Sequence, residues 1–440
     1  MTLAKTNRAL ACLALAAAFL LAGCDSDKKE PITGKRLSVL ELDKRLVPDP
    51  KLAGEPILLP APFDNPAWPD AGGYPNHAMY HLDLGDKIHR AWRNDIGEGA
   101  ARYSRVLAQP VVADGRVFAM DGETEVSAYD AKSGDRLWRF DTSPKGADIG
   151  GFGGGIAYAD GKLYIATGYA EALALNAADG KVIWRQPLSG PSHGSPTVAD
   201  GRLYAVTVDN ELDVLATDDG HRLWTHNGIP EPTGLLGSAS PAVEGDIVVV
   251  PYSSGEIFAL RTENGQPVWS DNLATSRPLG ALSSLADIRG QPVIDRGRVF
   301  AVSHAGLLVS IDLRTGDRVW EQDIGGVHMP WVAGDYVYVL SDVGDLICLT
   351  REDGRVRWVR ALPRYEDEES KKDPVEWTGP VLAGNRLIVV SSDGEAFSVS
   401  PYTGEALGYA DFPDSVFISP VVAGKTLFVL TDDADLIALR

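Results

Sequence analysis

His77 and His81, in the stretch "HAMYH", stand four residues apart, the spacing at which one helix face would offer two imidazoles to a metal ion. His89 follows nearby, but no third ligand stands at a matching interval. The plainer reading is a pair of structural or surface histidines. "GPSHG" (residues 190–194) fits the Gly-x-Ser-x-Gly pattern that would present Ser192 as a nucleophile on a strand–turn–helix elbow. It runs on into "SPTVADG", a strand pattern, and this removes the elbow. "GFGGG" (residues 151–155) could cradle a phosphate on backbone N–H groups, yet no Lys-Ser/Thr pair and no helix pattern follows. The acidic run "YEDEESKKD" (residues 365–373) could supply calcium ligands and reads more simply as a solvated loop between strands. No catalytic residue, metal ligand or cofactor is expected from these stretches.

The cysteines point to a different chemistry. "MTLAKTNRALACLALAAAFLLAGC" begins with a basic segment holding Lys5 and Arg8, followed by an apolar run over residues 10–22. That run is short for a membrane span and has the proportions of a signal peptide. It ends in Leu21-Ala22-Gly23-Cys24, which resembles the lipobox of bacterial lipoproteins. The resemblance implies cleavage before Cys24 and acylation of its thiol and amine, and several acyl chains anchor stably where one is marginal. Cys12 would leave with the peptide, and Cys348 would be the one thiol left, so no disulfide is expected within the mature chain. In the alternating strand "DLICLT", Cys348 reads as a small core residue.

From Cys24 onward the chain carries 39 basic and 61 acidic residues, a formal charge of −22. Such a chain is repelled by nucleic acid and by anionic headgroups, and nucleic acid is excluded as a partner.

The elements that must position any site come from a repeat. A few apolar residues and a Gly turn recur eight times, led by a Pro in all but the second copy, as in "PVVADGRVFAM", "PTVADGRLYAV" and "PVVAGKTLFVL". From Gly115 to Gly424 the turns are spaced by about 44 residues, the length of one four-stranded propeller blade. Each unit adds a second apolar strand, then a Gly and a Trp four residues on, as at Gly134 and Trp138 or Gly180 and Trp184. In the seventh unit Gly408 stands where the Trp should be. Short alternating runs with Gly at each reversal fit antiparallel strands, since tight hairpin turns need positive φ. The recurrent Trp is expected to wedge between neighbouring blades.

The eighth unit holds three strands. Its fourth is expected near the other end of the body, in "HRAWRNDIG" (residues 89–97), which parallels "DRVWEQDIG" (residues 317–325) with Trp92 matching Trp320. Pairing it with the last strand would close the ring and hide two edges. The expected fold is all-β: an eight-bladed β-propeller of four-stranded antiparallel blades, closed by an N-terminal strand. The expected divisions are a signal peptide at 1–23, a Pro-rich tether and arm at 24–84, and the propeller at 85–440.

The units "AKSGDRLW" and "AADGKVIW" resemble the quinoprotein-type propeller repeat. Joined to the lipobox and to this chain length, they resemble the BamB family of lipoproteins, a subunit of the bacterial outer-membrane β-barrel assembly machinery. The resemblance covers residues 85–440 as repeats. It implies a non-catalytic scaffold without cofactor at the periplasmic face of the outer membrane. The implied partners are the POTRA domains of the barrel-inserting subunit BamA, other subunits of the machinery and unfolded outer-membrane proteins. The family's contact loop, Leu-x-Leu-Arg-Gly, corresponds to "TGLLGSASP": Leu235 and Gly237 match, and Leu236 replaces Arg. A second loop, Leu-x-Asp-x-Asp, corresponds to "LADIR": Leu285 and Asp287 match, and Arg289 replaces the second Asp. The two loops follow consecutive fourth strands and are expected side by side on one rim, with exposed leucines beside a charged border.

Two other readings stay open on the residues. Quinone-dependent dehydrogenases share the propeller, although this chain lacks the adjacent Cys-Cys pair of that family. An envelope propeller could also bind an unrelated partner. Asp25 resembles the enterobacterial signal for inner-membrane retention, whereas the family resemblance implies the outer membrane.

Overall fold

The computed structural model describes residues 46–101, 104–146, 153–231, 234–274 and 286–440. Each repeat forms one four-stranded antiparallel sheet, and eight such sheets are present among the described residues. Blade one consists of Val111–Ala113, Arg116–Met120, Glu125–Asp130 and Arg136–Asp141. Blades two to seven span 154–187, 197–227, 242–272, 293–322, 331–361 and 377–411. The first strands of neighbouring blades lie against one another around the axis, and the fourth strands form the outer edge. The two middle strands of each blade are buried between adjacent sheets, so "RVFAM" and "DLICLT" bury consecutive residues on both faces where alternation was expected.

The first turn shows why Gly recurs. Asp114 and Gly115 take φ of 49° and 71°, the paired positive values of a type I′ turn whose twist suits a hairpin. The blade junctions show why Trp recurs. Trp138 donates its indole N–H to the Ala177 carbonyl of the next blade at 3.0 Å. Its ring lies on Gly180, where an added Cβ would meet ring carbons at 2.8 Å. The same pairing joins Trp184 to Gly220, Trp224 to Gly265, Trp269 to Gly316, Trp320 to Gly354 and Trp358 to Gly404. A bulge in the pairing of third and fourth strands recurs just ahead of each Trp.

The eighth blade is assembled from two distant parts of the chain. Val421–Ala423, Thr426–Leu430 and Asp435–Leu439 supply three strands, and Arg90–Asp95 pairs antiparallel with the last of them. His89 and Arg440 exchange backbone hydrogen bonds of 2.7 and 2.9 Å at the end of this pair, and Arg93 forks onto Asp435. The pairing carries the usual bulge ahead of Trp92. No turn joins the third and fourth strands here, so the preceding blade has no Gly turn on which to set a Trp. Gly408 accordingly faces open space, and Tyr409 stacks on Phe397 of its own blade at 4.4 Å.

The N-terminal arm winds once around the axis. Asn65 O accepts from Gly424 N of blade eight, and Trp68 exchanges two backbone bonds with Val112 of blade one. Pro69 O then meets Tyr158 N of blade two, and Asp70 Oδ1 accepts from Val198 N of blade three. Pro75 O and Asn76 O serve Val243 N and Ile294 N of blades four and five. Tyr80 O accepts from the Trp331 indole of blade six, and Leu82 pairs with blade seven through Leu382 and Gly384. The arm thus satisfies the inner edge of the first strands, which would otherwise face the channel unpaired. Its bonds to Gly384 and Gly424 place it at the end of the axis marked by the first turns. The connections between blades lie at the other end.

Candidate functional site

The two loops singled out in the sequence meet at that second end. They belong to the connections 228–241 and 273–292, which follow the fourth strands of blades three and four. Leu235 N donates to Asp287 Oδ2 at 2.9 Å and ties one loop to the other. Leu285, like Cys24, lies outside the described residues. Leu236 is 39% exposed at the rim, while Leu235 and Gly237 are half-buried.

Asp287 does not form a charged border. It is buried at 3% exposure, because its carboxylate answers the Leu235 N–H and its neighbour Ile288 is inserted in the core between blades four and five. Burial pushes the Asp287 carboxyl up, against the opposing pull of the Leu235 N–H, Arg289 and His304. Arg289, on the far side of Ile288, turns inward and lies along Gly237, where an added Cβ would come within 3.3 Å of its Nε. Burial lowers its guanidinium, and Asp287 and Glu376 offset this. His304 donates its backbone N–H to Asp287 O, and its ring meets Asp342 at 2.9 Å, the contact that raises it.

Arg289 lines an axial cavity of about 130 Å³. Trp68 and Trp331, stacked with centroids 6.4 Å apart, form part of its wall at the arm side. Gln109 fixes that wall by accepting from the Trp68 indole at 3.1 Å and from Gly72 N at 2.7 Å. His328 also lines the cavity, and burial, reinforced by Arg289, takes it down to about 3, so it is neutral.

The stretches that suggested other chemistry fall elsewhere. His77 and His81 are on no helix and face different partners. Nδ1 of His77 meets Pro292 O, and Nδ1 of His81 meets Pro60 O, both at 2.7 Å. Both rings are buried and hold the arm in place. Among the described residues no group of three metal-ligating side chains comes together. Ser192 is buried and donates to Val206 O at 2.9 Å, with a strand rather than a helix after it. Gly151 and Phe152 lie outside the described residues, while Gly154 opens the first strand of blade two. The acidic run forms a short exposed hairpin, Tyr365–Asp367 with Lys372–Pro374, where a loop was expected. Cys348 is buried, and burial pushes its thiol up. The sequence reading missed Trp68, Gln109 and Ser238 as lining residues, since only the arm's course brings Trp68 to the axis, where it meets Gln109 at the entry to blade one.

A family model described as outer membrane protein assembly factor BamB matches residues 89–151 and 122–360. A curated protein of that name from Alkalilimnicola ehrlichii is 32% identical over 81% of this chain and 90% of its own length. Its namesake from Escherichia coli is 27% identical over 78% of this chain and 86% of its own length. Among solved structures, BamB from Moraxella catarrhalis superposes with a TM-score of 0.68 at 20% identity, covering 80% of this chain and all of that one. Quinohemoprotein alcohol dehydrogenase from Comamonas testosteroni reaches 0.65 at 14% identity, over 85% of this chain and 80% of that one. At those identities the two structures speak to the fold alone.

Proposed function

The chain belongs to the family of outer membrane protein assembly factor BamB, and from that premise we propose that it is a non-catalytic scaffold for assembling β-barrel proteins into the outer membrane. In this reading residues 1–23 are removed, Cys24 is acylated, and the propeller faces the periplasm. The propeller docks on the POTRA domains of BamA and assists the delivery of unfolded barrels.

One observation carries the docking surface: the bond from Leu235 N to Asp287 fuses two consecutive connections into one rim and leaves Leu236 exposed upon it. An apolar side chain next to a backbone position held by a hydrogen bond suits a docking patch, because less backbone freedom is then lost on binding. The test is affinity purification of the tagged protein from detergent-solubilised envelopes. The barrel-inserting subunit is expected in the eluate. A eluate that holds the folded propeller without that subunit overturns the reading.

A further inference from the structure

We infer that the axial cavity is a binding site for a carboxylate, held by Arg289 and Ser238 at the end of the axis opposite the arm. Three observations support it. Arg289 lines the cavity, yet among the described residues no carboxylate lies within ion-pairing distance of its guanidinium. Asp287, the nearest acidic neighbour in sequence, is occupied by Leu235 N. Secondly, Ser238 lines the same cavity with a buried Oγ that has no hydrogen-bond partner. A buried polar atom left unpaired in a well-packed fold commonly marks the place of a missing ligand or ion. Thirdly, the two donors are adjacent: Arg289 Nε runs along Gly237, and Ser238 is the next residue.

The chemistry of this set selects the ligand. A guanidinium offers parallel N–H donors that match the two oxygens of a carboxylate, and the Ser238 hydroxyl can add a third donor. Burial lowers both lining histidines, His193 and His328, so Arg289 is the cationic group at the cavity, and since Asp287 and Glu376 already offset part of its charge the site suits no more than a monoanion. The volume of about 130 Å³ admits a molecule the size of a small aromatic or short-chain acid, and Trp68 and Trp331 supply an apolar wall for its body. Such a carboxylate could belong to a free small molecule or to an acidic side chain of a docked polypeptide. The inference does not depend on the proposed assembly role.

The test titrates the purified protein with sodium benzoate and, separately, with benzamide, its uncharged isostere, following tryptophan fluorescence and calorimetric heat. A capped Gly-Asp-Gly peptide forms the third arm. Benzoate is expected to bind saturably and benzamide not to. Arg289→Gln should weaken benzoate about tenfold or more, the loss expected for a charge-assisted pair, and Ser238→Ala should weaken it less. Binding of the peptide through Arg289 assigns the site to a partner's side chain, and binding of benzoate alone assigns it to a free acid. Equal binding of benzoate and benzamide overturns the inference, as does unchanged benzoate affinity in a folded Arg289→Gln protein. Should Arg289→Gln fail to fold, Ser238→Ala decides: unaltered benzoate affinity in that variant rejects the site. Absence of binding by both acids also rejects it.

Discussion

The indole of Trp92 lies on Gly134, where an added Cβ would approach ring carbons to 2.7 Å, and its N–H reaches Ala131 O at 3.2 Å. This contact joins the composite eighth blade to the first, and with the strand pair 90–95 and 435–439 it closes the ring. Truncating a buried Trp costs about 3–5 kcal/mol. In a body of this size that lowers Tm by about 4–6 °C. Trp92→Ala is expected to show such a loss by calorimetry. A shift of less than about 2 °C would mean that the closure rests on the backbone pairing alone.

Gly408 gives the complementary prediction. It occupies the Trp position of blade seven and faces open space, since blade eight has no turn to receive an indole. Gly408→Trp is therefore expected to leave Tm within about 2 °C of wild type, because a surface substitution away from packing rarely matters more. A large stabilisation would show that a receptor for the ring exists after all.

These two positions illustrate what could be read from the sequence. The eight Gly turns and the match of Trp92 to Trp320 are local signals with a fixed period, and they carried the ring and its closure. The course of the arm has no period to read. Trp68, Asp70, Asn76 and Leu82 bond to backbone groups of blades one, three, five and seven, at separations that only the folded ring brings together. Asp287 misled for a related reason. A carboxylate beside a leucine-rich loop reads as a charged border, but its acceptor role depends on an N–H 52 residues earlier in the chain.

The arm is expected to stabilise the propeller rather than merely tether it. Trp68 is 1% exposed, stacked on Trp331, and bonded through its indole to Gln109. Trp68→Ala should cost about 3–5 kcal/mol, comparable to loss of a blade Trp. Cys24→Ser, by contrast, should abolish palmitate labelling and leave the melting of the folded body unchanged. Melting curves of the two variants side by side, with labelling of the second, check both statements. Retained labelling of Cys24→Ser would remove the lipid anchor from the proposal.

Acid should loosen the arm through His77. Burial holds this imidazole down at about 4, against 6.5 for the free group, so the folded state resists its protonation. A depressed folded value means the histidine's stability contribution is full above about pH 6.5 and is lost as pH falls towards about 4. The shift corresponds to roughly 3 kcal/mol. Asp70, also buried and with its carboxyl pushed up, acts with the opposite sign, but it is common to wild type and to a His77→Gln variant. The wild-type advantage over His77→Gln should therefore shrink by roughly 3 kcal/mol between pH 7 and pH 4, read from denaturant midpoints at each pH. A gap that stays constant with pH would place His77 in contact with solvent.

Leu236 is exposed and its neighbour Leu235 is fixed by Asp287, so the side chain at 236 can change without disturbing the loop beneath it. Leu236→Glu should cost no more than about 0.5 kcal/mol of stability, as surface substitutions generally do. If Leu236 is the anchor of the docking patch, the same change should weaken binding to isolated POTRA domains by about 2 kcal/mol, close to thirtyfold in Kd. Asp287→Asn provides the contrast. It keeps an acceptor for Leu235 N but removes the buried charge, so it should preserve the rim and leave binding within a few-fold of wild type. A direct exchange of Asp287 for Lys would instead bury a cation near Arg289 and test folding rather than docking. The measurement is calorimetric titration of the purified propeller with POTRA domains, alongside far-UV circular dichroism. Leu236→Glu protein that is folded and binds as tightly as wild type moves the docking surface to another part of the ring. Loss of binding with an unaltered spectrum ties it to the junction that Leu235 and Asp287 make.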